Sequence, residues 1–200
     1  MNDCKVDRRV KYTKTMLKDA LVKLMQKQHI SSISVKSLCD LADINRSTFY
    51  THYTDQYDLL HQIEEEVLTN LRLHLEKQDF KDSQPVSAQV VTSILEYARQ
   101  NADLFKVLLS ENCDFAIQKD ILELAQIVSP QYNTALDART TEYIQAYAVN
   151  GCISIFHQWL NDGMVESVAM ITDLVLQLLA PIGSIRQYSR VLQLKETRNR

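Results

Sequence analysis

The sequence predicts an all-α protein, and three observations carry that prediction. Apolar residues recur at helical spacing, beginning with Leu17, Ala20, Leu21 and Leu24 at i, i+3, i+4 and i+7. Glycine and proline number only three each in 200 residues, too few for many tight hairpins or Gly-rich phosphate loops. No stretch reads as a convincing strand, while 46% hydrophobic and 24% charged residues give a chain with a real core.

The elements follow in order. A first helix runs from Tyr12 to Gln28, with Lys11, Lys14 and Lys18 on a side open to a phosphate backbone, and His29–Ser32 breaks it. Ser34 caps a short second helix whose Val35, Leu38, Cys39 and Ala42 face inward. Asp43-Ile44 makes a turn in which Asp tolerates a left-handed or bridging conformation. Asn45 caps a third helix, Arg46 to Tyr53, with Phe49 and Tyr53 as an i,i+4 pair. Asp55 caps a long fourth helix that buries Leu60, Ile63, Val67, Leu68, Leu71 and Leu75.

The polar run Gln78–Pro85 reads as a linker. Helical periodicity resumes over 86–100, 102–109 and 114–128, where Pro130 ends it, and a loop spans 131–139. Two strong helices follow, Thr141–Leu160 stopped by Asn161-Asp162-Gly163, and Ser167–Leu179 stopped by Pro181. The expectation is about nine helices.

The net charge of −3 conceals an asymmetry. Residues 1–50 carry ten Lys/Arg against five Asp, whereas residues 51–190 carry nine basic against nineteen acidic groups. A basic end on an acidic body suits a nucleic-acid module joined to a partner domain, and equally a solvated lysine face. No apolar run spans a bilayer, and the N-terminal residues MNDCKVDRRVKYTK lack the apolar stretch of an export signal. The four cysteines lie far apart with no C-x-x-C pair. The expectation is a cytoplasmic chain with reduced thiols, no metal, no cofactor and no membrane.

Residues 34–53, SVKSLCDLADINRSTFYTHY, have helix-turn-helix spacing. A helix that enters a major groove needs an apolar inner face, short polar or basic residues on its first turn, and phosphate-holding groups beyond. Phe49 and Tyr53 supply the first. Arg46, Ser47 and Thr48 fit the second, and Tyr50, Thr51 and His52 the third.

The string Ile44–Tyr53, followed by Asp55-Gln56 and Leu59-Leu60, resembles the DNA-binding domain of the TetR/AcrR family of bacterial regulators. The matching aromatics are Tyr50 and Tyr53. The resemblance implies a three-helix DNA-binding head, a long connecting helix, and a body for dimerisation and ligand sensing. By matching position Ser34 and Lys36 would touch phosphates or nearby bases, Arg46, Ser47 and Thr48 would read bases, and Tyr50, Thr51 and His52 would grip the backbone. Three departures stand out. Gln56 occupies a position where the family usually has Lys, Asp43 stands where it has a small Gly, and its Gly after the first helix falls at Gln28-His29.

The segment Tyr147–Met164 also resembles a C-terminal domain found in part of this family, with a Gly, an apolar run, Trp-Leu and Gly-Met. The implied dimer pairs the last two helices with their two-fold mates in a four-helix bundle, with Ile155, Trp159, Ile171, Val175 and Leu178 as interface candidates. The same stripes also suit the internal core of one protomer. Gly151 would permit a neighbouring helix to approach closely. Effector-contact candidates in the body are Tyr97, Phe105, Tyr143, Tyr147 and His157, with Tyr132 and Met164 also of a suitable type, although each taken singly suits plain core or surface better.

Enzyme motifs are absent: no G-x-G-x-x-G, P-loop, H-E-x-x-H or G-x-S-x-G occurs, and no two histidines lie at i,i+4. The expected organisation is a helix-turn-helix head over 1–54, a sensing and dimerisation body over 55–190 and a polar tail over 191–200. The expected function is a homodimeric, ligand-responsive repressor that leaves double-stranded operator DNA when it binds an unidentified small-molecule effector. Two alternatives differ in class: a co-regulator or activator whose body binds a partner protein, and a helical interaction protein with a vestigial head.

Overall fold

The computed structural model describes residues 3–76, 88–110, 112–113, 120 and 138–179. Among them are eight α-helices, one short 3-10 turn and no strand, so the chain is all-α. The helices are α1 (Asp3–Met25), α2 (Val35–Ala42), α3 (Arg46–Phe49), α4 (Gln56–Glu76), α5 (Ala88–Gln100), α6 (Ala102–Leu108), α7 (Ala138–Asn161) and α8 (Val168–Leu179), with the 3-10 turn at Ile30–Ser32. The linker at 78–85, the helix expected over 114–128 except for residue 120, Tyr132, Pro130, Pro181 and the 191–200 tail lie outside the described residues.

The chain divides into two compact units, residues 1–70 with 101–120, and residues 71–100 with 121–200. In the first, α1 packs on α2 and α6, and α2 on α3. Leu17, Ala20, Leu21 and Met25 of α1 are buried, with Leu38 and Cys39 of α2, Phe49 of α3, and Leu59, Leu60, Ile63, Val67 and Leu68 of α4. α1 begins nine residues earlier than the apolar stripe suggests, because Asp3–Lys11 are helix-competent residues that need no buried face to continue the hydrogen-bonded ladder.

In the second unit α8 packs against α5 and α7. The hydroxyl of buried Thr172 meets that of Thr92 at 3.1 Å, which satisfies a polar group that burial would otherwise leave costly. Trp159 donates its indole N–H to the carbonyl of Glu166 at 2.9 Å and so fixes the α7–α8 turn. That turn ends α7 with Gly163 at φ +84° and the Met164 N–H on the Trp159 carbonyl at 2.8 Å, a left-handed helix stop that Gly adopts without strain. α7 starts at Ala138, so its first turn occupies residues that the sequence alone assigns to a loop.

Candidate nucleic-acid interface

Each piece of the α2–α3 element is held by a local device. The Ser34 hydroxyl accepts the Ser37 N–H at 3.0 Å while the Ser37 hydroxyl oxygen accepts the Ser34 N–H at 3.2 Å, a reciprocal cap on α2. α2 stops at Asp43, which is left-handed at φ 53° and ψ 43°, with the Ile44 N–H on the Cys39 carbonyl at 3.0 Å. A short polar side chain makes that conformation tolerable where a β-branched one would strain. Asn45 then caps α3, its carboxamide oxygen accepting both the backbone N–H and the hydroxyl of Ser47 at 2.9 Å.

α3 is shorter than the Arg46–Tyr53 expected from spacing. After Phe49 the backbone tightens, with Thr51 N–H on the Thr48 carbonyl and His52 N–H on the Phe49 carbonyl, bonds of the 3-10 kind. Residues 50–52 remain a helical turn that ends the element. Phe49 is fully buried and Tyr53 nearly so, their rings 5.5 Å apart. Tyr50 stands out at 58% exposure, edge-on to Phe49 at 5.5 Å. The anchor and the outward face are thus set by alternate sides of one short turn.

Outward from that anchor stand the residues suited to DNA. Lys36, Arg46, Ser47, Tyr50 and Thr51 are exposed, whereas Thr48 and His52 are half-buried, His52 lying 6.3 Å from the Tyr53 ring. Two hydroxyls are already engaged within the element: Ser47 donates to Asn45 and Thr51 donates to the Ser47 carbonyl at 2.9 Å. Ser34, also exposed, donates to the Ser37 hydroxyl at 3.1 Å. Lys36, Arg46 and the phenol of Tyr50 are the other exposed polar groups of this face. Burial, reinforced by Asp58 and Glu66, pushes the Tyr53 phenol up, so it stays neutral at physiological pH. Burial also raises the Cys39 thiol, against the opposing pull of Arg46, and leaves it inert inside the element.

The α1 lysines divide. Lys11 is exposed, Lys14 lies over the Tyr53 ring with 5.9 Å to its centroid, and Lys18 pairs with Glu66 at 3.1 Å. Tyr12, Leu41 and Tyr57 are exposed on the same unit and carry no periodic signal that would have singled them out. Asp55 caps α4 through the Asp58 N–H at 2.9 Å, and the Asp58 carboxylate accepts from Thr54 N–H at 2.8 Å.

The body candidates fall in both units. Phe105 is buried in the first unit, while Tyr97, Tyr143, Tyr147 and His157 belong to the second. Tyr143 and Tyr147 are 65% and 72% exposed. His157 is half-buried, its Nε2 at 3.1 Å from the Asn161 carboxamide nitrogen. The Tyr97 ring lies tilted against that of His74 at 5.3 Å, and the His74 Nδ1 meets the Ser93 hydroxyl at 2.6 Å. His74 and Ser93 escaped the sequence reading because neither lies on an apolar stripe. Of the interface candidates, Trp159, Ile171 and Val175 are buried within the protomer itself, Ile155 is half-buried and Leu178 is exposed. The large apolar side chains left open on α7 and α8 are Tyr143, Tyr147, Met170, Leu174 and Leu178. A Cβ at Gly151 would meet nothing within 4 Å. Among the described residues no group of three or more His, Cys, Asp or Glu could hold a metal, and no helix is long and apolar enough to cross a membrane.

Residues 87–181 match a family described as the transcriptional regulator C-terminal region, of TetR type. A curated relative, an uncharacterised helix-turn-helix transcriptional regulator of Bacillus subtilis named YxbF, is 20% identical over 176 residues. That alignment covers 82% of this chain and 44% of the relative, so the chain spans less than half of its length. A TetR transcriptional regulator from Streptococcus agalactiae shares the fold at a TM-score of 0.60 and 22% identity, over 88% of this chain and 98% of that one. The dihydroxyacetone kinase operon activator DhaS shares it at 0.57 and 20% identity, over 86% and 97%.

Proposed function

We propose that the chain is a transcriptional regulator of the TetR family that binds operator DNA as a homodimer through α2 and α3, a reading supported by the family match over 87–181 and the shared fold. The observation that carries the reading is the division of one turn between buried Phe49 and Tyr53 and outward Arg46, Ser47, Tyr50 and Thr51. The buried pair fixes the pose. Arg46 and Ser47, with half-buried Thr48 beside them, meet base edges in this reading, and Lys36, Tyr50, Thr51 and His52 hold the phosphates on either side. Ser34 joins them at the N-terminus of α2. Two such heads on a two-fold axis read half-sites about one DNA turn (~34–36 Å) apart.

In this reading the head spans 1–54, the body 55–190 and a polar tail 191–200. The protein works in the cytoplasm without a cofactor. The open apolar side chains of α7 and α8, Leu178 among them, meet the partner protomer, and Gly151 leaves room for its helix. A small-molecule effector in the body shifts the population between head spacings that do and do not fit DNA, which makes the protein a repressor released by its ligand. The paired His74 and Ser93 beside Tyr97 are the polar groups there that suit a ligand's polar end. The likeness to an operon activator favours a second reading of the sign, in which the same head recruits transcription and the body answers a partner protein.

The test is selection of the purified chain against random duplex DNA at near-physiological salt, where non-specific binding is weak. Enrichment of a two-fold-symmetric site is the expected result. A folded dimer that enriches no sequence overturns the operator reading, and partner-dependent enrichment would favour the second one.

A further inference from the structure

The turn between α1 and α2 is closed by a residue from far along the chain. α1 ends at Met25, whose carbonyl is among the last of the helix and takes no following backbone N–H: Gln26 turns back to Val22, and both Lys27 and Gln28 to Leu24. Five residues on, Ile30 opens the 3-10 turn, where its N–H has no partner inside that turn. Both residues are buried, at 1% and 0% exposure, so water does not satisfy them cheaply. Asn112 serves both. Its side-chain amide donates to the Met25 carbonyl at 2.9 Å, and its backbone carbonyl accepts the Ile30 N–H at 3.3 Å.

Asn112 is itself held. Its N–H donates to the Ser110 hydroxyl at 3.2 Å, and that hydroxyl donates to the Val107 carbonyl at 2.8 Å. α6, just before, buries Leu104, Phe105, Val107 and Leu108. Cys113, just after, is buried with its thiol 3.6 Å from a Glu64 carboxylate oxygen of α4. Residues 101–120 join the first unit although the chain on either side of them, 71–100 and 121–200, forms the second. The segment that grips the α1–α2 turn is therefore continuous at both ends with the other unit.

We propose that Asn112 is a positioning residue: through it the segment 101–113 holds the α1–α2 turn, and with the turn the pose of α2 and α3. A displacement of α6 reaches the reading element through these two hydrogen bonds. The second half of this inference rests on the DNA-binding reading. The first half does not.

The test uses the full chain carrying Asn112→Ala or Asn112→Asp, the latter keeping the shape but losing the donor. Amide hydrogen exchange without DNA is expected to accelerate by ~10-fold or more at residues 28–33 in both variants, with Leu17 and Leu21 in mid-α1 unchanged. Unchanged exchange at 28–33, or equal acceleration throughout α1, overturns the proposal. On a duplex enriched by the wild-type chain, the ratio of specific to non-specific affinity is expected to fall by ~10-fold while binding to an unrelated duplex is unaltered. Local loosening with an unaltered ratio overturns the link to the reading element. If the wild type enriches no duplex, the DNA-binding reading fails and that link falls with it, while the exchange result still decides the latch.

Discussion

Lys14 holds its ammonium 5.9 Å from the centroid of the Tyr53 ring, tying α1 to the residue that closes the turn after α3. The cation faces a ring whose own hydroxyl stays protonated, so the attraction persists across physiological pH. Lys14→Ala is expected to lower the unfolding free energy by ~0.5–1 kcal/mol, the range of a partly exposed cation–π pair. Tyr53→Leu combined with it should give a non-additive cycle in urea unfolding. A lysine serving phosphate instead would leave stability intact and reduce the salt slope of DNA binding by about one unit.

Arg46 and Tyr50 should separate reading from gripping. Arg46 opens α3 exposed, and Tyr50 leans on Phe49 with its hydroxyl outward. Arg46→Ala is expected to cost ~1–3 kcal/mol at one operator position and to relax preference there. Tyr50→Ala should weaken binding evenly over sequences. Titration of single-base operator variants distinguishes the two patterns, and identical profiles would remove the assignment.

Asp58 is expected to make stability sensitive to acid. The Thr54 N–H first, then the Gln62 amide, hold its carboxyl below the ordinary carboxylate range, against a smaller opposing effect of burial. A folded pKa below the unfolded one gives stability that is present above the unfolded value and is lost as pH falls through the folded value. Asp58→Asn should therefore destabilise at neutral pH, with the difference from wild type shrinking as acid protonates the native carboxylate. Urea unfolding at about pH 7 and about pH 3 measures it. A pH-independent difference would mean that the charge contributes nothing.

Asp43 sits left-handed at φ 53°, where a Cβ is crowded. Asp43→Gly relieves that crowding but loosens the unfolded chain, so stability should change by less than ~1 kcal/mol. Asp43→Val should lose at least ~1 kcal/mol, and operator affinity should fall with it as the α2–α3 angle loosens. Equal stability of the Gly and Val variants would show that the turn is not strained.

Local signals in the sequence were sufficient for several of these features. Ser34, Asn45 and Asp55 each cap the helix that follows, because an N-cap is a contact within three residues and its chemistry is written in the same few letters. The left-handed Asp43 and the stop at Gly163 are legible for the same reason. Partners distant in sequence are not. Nothing near Lys18 announces Glu66, nothing near Met25 announces Asn112, and His74 gives no hint of Ser93. Spacing does not fix the end of α3, because Phe49 and Tyr53 satisfy i,i+4 whether the last turn is α or 3-10. An apolar stripe likewise does not say what covers it, which is why Trp159 and Leu178 read alike and sit so differently.

That difference yields the last prediction. Met170, Leu174 and Leu178 follow one another at four-residue intervals down α8 and are all exposed, while Val168, Ile171 and Val175 on its other side are buried. Tyr143 and Tyr147 form a similar open pair on α7. If the open stripe is the two-fold interface, Leu174→Glu places a charge where a partner's apolar surface would desolvate it, and its copy does the same across the axis. The variant should sediment as a monomer with its helical content kept. Trp159→Ala should behave differently, since it empties a buried site and frees the Glu166 carbonyl, costing ~3–5 kcal/mol of folding stability. Its loss of dimer would then follow loss of structure. A Leu174→Glu chain that remains dimeric at micromolar concentration would show that the protomers meet elsewhere.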